Sequence, residues 1–399
     1  MSKWSHLDYI LEDNNDLTST ELARKIIKEN DLDENFYDAI REHIRRFRRK
    51  KGTHEHTTLQ EYCEKEGIPY DPTMMYWHKG KLNGNNISVL VKAQKENQLS
   101  VEDVEEAVVS VMGEYKKYKA HPPKKTNEKA LRIIVSDIHV GLDPNPEGNS
   151  IFGYEYNTDI FNDRLNKVLD QAIKKYQTEG TFQVLFLDDL GDALDGYNQQ
   201  TTRGGHHLPQ NLSNPEAFLT YVEGKYKLIR RLVEAGVAKK YIIRNVGNCN
   251  HAGDYGVIAN KTIELMARES LITNIEFNTF EKFVECFTWG DHTWILTHGK
   301  DKEHMKRGFP LKLDDKTINW IREYIDHKRI SSKYIHVDKG DLHQLGYNRT
   351  KKFDYSNYMS FAPPSGWAQH NFADSYSGFS TQIIHPNEGN ISQENIFFD

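Results

Sequence analysis

Apolar positions follow two different rhythms along the chain, and the rhythm changes near residue 125. Before it, apolar residues recur at helical spacing among many charges. Leu22, Ile26 and Ile27 follow the capping-box pattern Thr18-Ser19-Thr20-Glu21, which predicts a helix. Ile40, Ile44 and Phe47 sit at i, i+4 and i+7, which predicts a second helix after a turn at residues 30–34. Thr58-Leu59-Gln60-Glu61 is another capping box, and Gly67 with Pro69 ends that element. Met74 to Lys81 is then expected as its helical partner, and residues 100–119 as one more helix capped by Ser100. The polar, Pro-containing stretch 121–129 reads as a linker. Beyond it, short β-rich apolar runs alternate with amphipathic helical patterns, the signature of an α/β domain spanning 130–399.

The 399 residues include 18 Phe, 21 Tyr and 6 Trp, with a hydrophobic fraction of 37%. That content suits packed domains and excludes a disordered chain. Apolar runs such as Val184-Leu185-Phe186-Leu187 are far shorter than the roughly 20 residues a membrane-spanning helix needs. No leader pattern of basic, apolar and small residues opens the sequence. Three cysteines (Cys63, Cys249, Cys286) give neither a disulfide framework nor zinc-ligand spacing, and Cys249 and Cys286 are expected as small buried hydrophobes. The expected compartment is a reducing cytoplasm, the host's if the chain is of phage origin.

The net charge of −6 excludes a uniformly basic nucleic-acid binder, but residues 41–51 hold seven basic side chains and one acid. Arg41, Arg45 and Arg48 flank the apolar face of the second helix. Two helix-turn-helix units are therefore possible, with Arg41, Arg45, Arg48 and Arg49 on DNA phosphates. The competing reading is a helical docking domain with a solvated basic face, its partner a protein or a second copy of the chain.

Chemistry concentrates where apolar runs end. Leu131–Ser136 leads into Asp137-Ile138-His139; Phe182–Leu187 leads into Gly191-Asp192-Ala193-Leu194-Asp195. Tyr241–Val246 leads into Gly247-Asn248-Cys249-Asn250-His251, Trp294–Thr297 into His298-Gly299, and Tyr334–Val337 into Gly340-Asp341-Leu342-His343. Five times an expected strand delivers oxygen or nitrogen ligands at its C-terminal end, where open α/β sheets place their sites. In a strand ending, residues i and i+2 point the same way, so Asp137 and His139 can bind one metal ion together. Carboxylate and amide oxygens mixed with imidazoles suit Mn²⁺, Fe or Zn²⁺ better than Ca²⁺.

This ordered series, over about residues 130–345, resembles the calcineurin-like metallophosphoesterase superfamily: D-x-H, G-D-x-x-D, G-N-H, H and G-H-x-H. The chain also looks like phage-type members related to the SbcD/Mre11 nucleases, with a helical N-terminal extension. The resemblance implies two β-sheets packed face to face between helices, in four α/β/β/α layers. It implies two divalent ions, Mn²⁺ foremost, with Asp137, His139 and His343 on the first and Asp192 bridging both. His298, Asp341 and an Asn of the third motif would hold the second. The implied reaction is two-metal hydrolysis through a bridging hydroxide, with His251 acting on the transition state or leaving group and Asp195 orienting its neighbours.

Two departures stand out. The third motif reads Gly-Asn-Cys-Asn-His, so the ligand is either Asn248 or Asn250, the latter keeping Asn and His adjacent. Asp341 stands where the family usually has His. The loop after the second motif carries Arg203, a candidate phosphate contact, and His206-His207; the run Phe361–Trp367 could stack bases or pack on the core. The leading expectation is a DNA phosphodiesterase, nuclease or exonuclease-like. The alternatives are a phosphoesterase for a small nucleotide, cyclic nucleotide or phosphoprotein, and a silent DNA-binding scaffold.

Overall fold

The computed structural model describes residues 17–30, 32–51, 76–82, 85–91, 99–114, 126–148, 150–301, 303–305, 308–371 and 376–398. The chain divides into two compact units, Met1–Gln94 and Lys95–Asp399.

In the first unit, α1 (Ser19–Glu29) opens on a complete capping box. The Glu21 N–H donates to Thr18 Oγ1, and the Glu21 carboxylate accepts from the Thr18 N–H at 2.9 Å. α2 (Tyr37–Lys51) packs on α1 through Leu22, Ala23, Ile26, Ile40 and Ile44, all fully buried. The expected helix over Met74–Lys81 does not form. Tyr76–Leu82 is strand β1, paired antiparallel with β2 (Asn85–Val91) in a register that opposes Leu82 to Asn85. The two residues between them are Asn83-Gly84, a strong hairpin-turn pair, and Ile87, Val89 and Val91 alternate along the second strand. That period-2 signal overrides the helical reading. The capping box at residues 58–61, the Gly67 and Pro69 stop and Cys63 lie outside the described residues.

In the second unit, α3 (Val101–Glu114) is capped by Ser100, whose Oγ accepts from the Asp103 N–H. Val111 joins the main core of this unit, so the helix belongs here and not with the N-terminal helices. Residues 126–129 are also part of this fold: the Asn127 N–H donates to the Thr181 carbonyl, and Lys129 pairs with Glu179. Residues 121–125 of the expected linker lie outside the described residues.

Six strands form one sheet in the order β13-β12-β3-β4-β5-β6: β3 (Ala130–Val135), β4 (Phe182–Asp189), β5 (Ala238–Val246), β6 (Ile275–Phe280), β12 (Gly378–Ile384) and β13 (Ile391–Phe397). β3 to β6 run parallel, and β12 and β13 are antiparallel additions. The second sheet has the order β10-β11-β9-β8-β7, from β7 (Glu285–Trp289), β8 (His292–Leu296), β9 (Tyr334–Lys339), β10 (Gly346–Arg349) and β11 (Asp354–Asn357).

Alternation along each strand assigns the layers. Leu131, Ile133, Leu185 and Leu187 face α4 (Thr158–Glu179), α5 (Asn214–Glu234) and α6 (Gly253–Glu269) in one core. Ala130, Ile134, Val184 and Phe186 point the other way and meet Trp294 and Leu296 of the second sheet. Ile295, Ile335 and Val337 form a third core with Ile321 and Ile325 of α7 (Asp315–His327). The unit is therefore a four-layer α/β/β/α sandwich, the arrangement the resemblance implies. The last helix, α8 (Gly366–Asn371), is a short surface piece. No helix among the described residues is long and apolar enough to cross a membrane.

Candidate metal centre

All five motif loops meet at one end of the two sheets. β3 and β4 run side by side and their following loops stay zipped together. The Leu190 N–H donates to the Val135 carbonyl, Asp137 to Gly191, His139 to Asp192 and Asp195 to Val140. The strand itself stops at Val135, so the pleat does not aim Asp137 and His139. Instead both residues are left-handed, with φ of 53° and 46°, as are Asp192 (52°), Asp341 (70°) and His343 (53°). Non-glycine residues rarely adopt this conformation, and five of them at one site are a concentration of backbone strain that the surrounding fold must hold.

The side chains converge. His139 Nε2 lies 3.3 Å from His343 Nε2, and Asp137 Oδ1 lies 3.3 Å from the same His343 atom. His298 Nε2 is 2.9 Å from Asp192 Oδ2 and 3.9 Å from Asp341 Oδ1, so the Asp341 carboxylate borders the cluster. Three sets have ligand atoms close enough together to hold a metal ion: Asp137, His139 and His343; Asp137, Asp192 and His298; and His139, Asp195 and His251. Supporting contacts orient the rings. The Leu190 carbonyl engages His298 Nδ1 at 2.9 Å, which turns Nε2 toward the carboxylates. Asp195 Oδ1 lies 2.8 Å from His139 Nδ1 and 3.2 Å from His251 Nδ1, so one buried carboxylate serves both imidazoles.

The donor set fits a cation. Asn250 Oδ1 and Asp195 Oδ2 are buried without a hydrogen-bond partner, and a buried acceptor left so is costly. The charges act on one another strongly. Burial alone would lower the His298 imidazole, but Asp192, Asp137 and Asp341 push it up to about 10. Burial would raise Asp192, yet the His298 and His251 charges hold it well below the carboxylate range. His251 is likewise raised, burial being outweighed by Asp192 and Asp195. It is also the most open of these side chains, at 21% exposure.

The two asparagines of the third motif separate. Asn248 Nδ2 donates to Asp301 Oδ1 at 2.9 Å and to the Glu281 carbonyl, which ties it to neighbouring loops. Asn250 keeps its buried Oδ1 unspent beside His251, whose N–H donates to Asp192 Oδ1 at 3.0 Å. Arg203 contacts protein: its guanidinium donates to the Asp301 carbonyl and its N–H to the Asn250 carbonyl, bridging two site loops. His206 and His207 are exposed. Cys249 is buried and Cys286 half-buried. Arg41 pairs with Asp38 at 3.1 Å and lies over the Tyr37 ring, while Arg45, Arg48 and Arg49 lie farther along α2.

Several participants carry no motif. The segment after β11 props the first loop from behind. The Phe361 N–H donates to the Ser136 carbonyl, Ala362 to that of Asp137, and Ser360 Oγ to that of Asp137 at 2.9 Å. Phe361 is fully buried, so it packs on the core, whereas Trp367 is exposed. Gly191 has φ +104° and a Cβ there would sit 2.9 Å from His298 Nδ1, so the residue before Asp192 must be glycine. Lys339 is fully buried, donates to the Gly340 carbonyl, and is lowered by burial to about 8 despite Asp341 and Asp137. The one available signal for it is a lysine directly before the Gly340-Asp341 motif.

No protein-family model matches the chain, and no curated protein matches it in sequence. Solved structures similar to it include Vps29 from Entamoeba histolytica complexed with zinc, at 13% identity over 67% of this chain and 99% of that one, TM-score 0.31. A novel archaeal phosphodiesterase is 8% identical over 67% and 99%, TM-score 0.32. A putative 5'-nucleotidase from Staphylococcus aureus is 13% identical over 67% and 53%, TM-score 0.30. Scores this low carry no functional argument.

Proposed function

We propose that the protein is a metal-dependent phosphoesterase that cleaves phosphodiesters. The observation that carries this reading is the convergence of Asp137, His139, Asp192, His298, Asp341 and His343 at the strand ends, with buried acceptors left unpaired. Asp137, His139 and His343 would hold one ion, and Asn250, His298 and Asp341 a second, with Asp192 between them. Divalent ions in such a site polarise a phosphoryl oxygen and activate water. Mn²⁺ is the first choice, with Fe and Zn²⁺ as alternatives.

The chain's own groups supply the remaining chemistry. Asp195 fixes His251 through Nδ1, and this ring is the most open side chain of the site. Asp192 and Asp195 raise its pKa and so favour the protonated imidazole, the form that can give a proton to a leaving oxygen. Asp195 also steadies His139, so one carboxylate couples the ligand set to the proton donor.

The finer reading is that the diester belongs to DNA. Its support is the basic run 41–51 on α2, whose buried Ile40 and Ile44 fix which face is spent on packing. The test is incubation with Mn²⁺ of bis-p-nitrophenyl phosphate, p-nitrophenyl phosphate, and single- and double-stranded DNA, each with and without EDTA. EDTA-sensitive cleavage of the diester and of DNA is expected. Cleavage of the small diester alone would remove DNA as substrate, and no turnover of any substrate would remove the enzyme reading.

A further inference from the structure

Beside the third motif lies a cavity of about 430 Å³, lined by Leu99, Tyr197, Thr202, Tyr255, Ile258 and Glu303 among others. This is within the range of small-molecule pockets. Two features link it to the centre. Thr202 donates through its N–H to the His251 carbonyl and through Oγ1 to the Asn250 carbonyl. Gly253 and Asp254, at the start of α6, also line it and follow His251 by two and three residues.

The chemistry of the walls is specific. Both phenols are occupied elsewhere: the Tyr255 hydroxyl donates to the Asn214 carbonyl, and the Tyr197 oxygen accepts from the Leu99 N–H at 3.3 Å. The two rings meet edge-on, 5.1 Å apart, so aromatic surface dominates this wall, with the Tyr255 proton already donated and the Tyr197 oxygen held by Leu99. Leu99 and Ile258 add apolar surface, and Ile258 is half exposed. The charged groups among the described lining residues are Asp254 and Glu303, both acidic. Such a pocket repels phosphate and accepts a flat neutral ring that carries N–H donors on its edge.

Resting on the phosphodiesterase reading, we infer that this cavity binds the nucleobase next to the scissile phosphate and favours bases bearing an exocyclic amine. Stacking on tyrosine supplies affinity, and the Glu303 carboxylate selects the amine.

The test compares the p-nitrophenyl esters of CMP and UMP with bis-p-nitrophenyl phosphate, in wild type, Ile258→Arg and Glu303→Gln. Calorimetric titration of cytidine into EDTA-treated protein is run alongside. Ile258→Arg, which places a bulky cation at the pocket, should raise KM for both nucleotide esters roughly tenfold or more and abolish cytidine binding. Glu303→Gln should shrink the preference for CMP over UMP. Neither should alter turnover of bis-p-nitrophenyl phosphate, which lacks a base. Nucleotide-ester KM values unchanged in Ile258→Arg, equal wild-type use of CMP and UMP esters, or no cytidine binding would overturn the pocket assignment. Failure of wild type on every ester would instead overturn the phosphodiesterase reading, and cytidine binding would still judge the pocket.

Discussion

Two buried clusters of charge occupy successive stretches of the same strands, and they differ in kind. Between the sheets, Arg132 and Arg244 meet Asp188 and Asp338. Arg132 Nε and Nη1 donate to Asp188 and Asp338 at 2.6 Å each, and Arg244 engages both oxygens of Asp188. Two guanidinium groups face two carboxylates, against the rings of Trp294 and Phe186. Four residues past Asp188 stands Asp192, and three past Asp338 stands Asp341. There the carboxylates face imidazoles, the backbone is left-handed, and acceptors remain unpaired. In the guanidinium–carboxylate cluster both carboxylates are held by permanent cations and the buried atoms left unpaired are donors, Arg132 Nη2 and Arg244 Nη1, so it ties the sheets together and offers a metal ion no ligand. An acceptor-rich cluster of titratable ligands keeps valence in reserve for something from outside. Burial and charge alone do not distinguish the two; the type of cation does.

The largest effects should come from crossing this distinction. Asp192→Asn should reduce metal-stimulated turnover of bis-p-nitrophenyl phosphate to background while the protein still melts cooperatively. Near-normal turnover would break the ligand assignment. Arg244→Met should do the opposite. It removes one partner from a buried pair, costing about 3 kcal/mol or more, and should lower the melting temperature by several degrees while turnover per folded molecule stays near wild type.

Next comes the asparagine pair. Asn250→Ala should lower metal content, measured by elemental analysis, with little change in stability. Asn248→Ala should leave metal content intact and cost about 1–3 kcal/mol, because Asp301 Oδ1 loses its donor. The reverse result would move the ligand to Asn248.

Proton linkage sharpens the comparison further. His298 is raised from its ordinary 6.5 to about 10 in the folded protein. Its contribution to the stability of the EDTA-treated protein is therefore full below about pH 6.5 and lost as pH rises through about 10. A ligand must be neutral, so metal binding should release protons and tighten over the same window. Calorimetry in buffers of different ionisation enthalpy, with melting curves from pH 6 to 10, checks both. Proton-neutral binding would remove His298 from the ligand set.

The smallest effect concerns α2. Neutralising Arg41, Arg45, Arg48 and Arg49 should weaken DNA binding without changing hydrolysis of the small diester. Four phosphate contacts correspond to a salt-slope change of about 3.6. Because Arg41 is engaged by Asp38 and Tyr37, a value nearer about 2.7, the slope for three contacts, is expected. An unchanged affinity and slope across a salt series would leave α2 as a solvated or protein-docking face.

Much of this protein was written in local sequence. The runs that became β3, β4, β5, β8 and β9 announce themselves by apolar content, and polar ligand residues follow each one. Hairpin chemistry at Asn83-Gly84 is equally local, and it outweighs the helical expectation for Met74–Lys81, where Tyr76–Leu82 is a strand. Other features could be decided only in three dimensions. Asp137 and His139 do not point together because a strand continues through them; both sit in left-handed turns clamped by loop 190–195 and by Ser360. Asn250 and Asn248 are one dipeptide apart with the same chemistry, and only the position of Asp301 shows which amide is already committed. The division between Asp188 and Asp192 has the same origin. A sequence specifies that a carboxylate is present, but the cation it meets comes from Arg244 or His298, 56 and 106 residues away along the chain. Ligand types are local properties of residues, whereas unspent valence is a property of every neighbour that folding brings within reach.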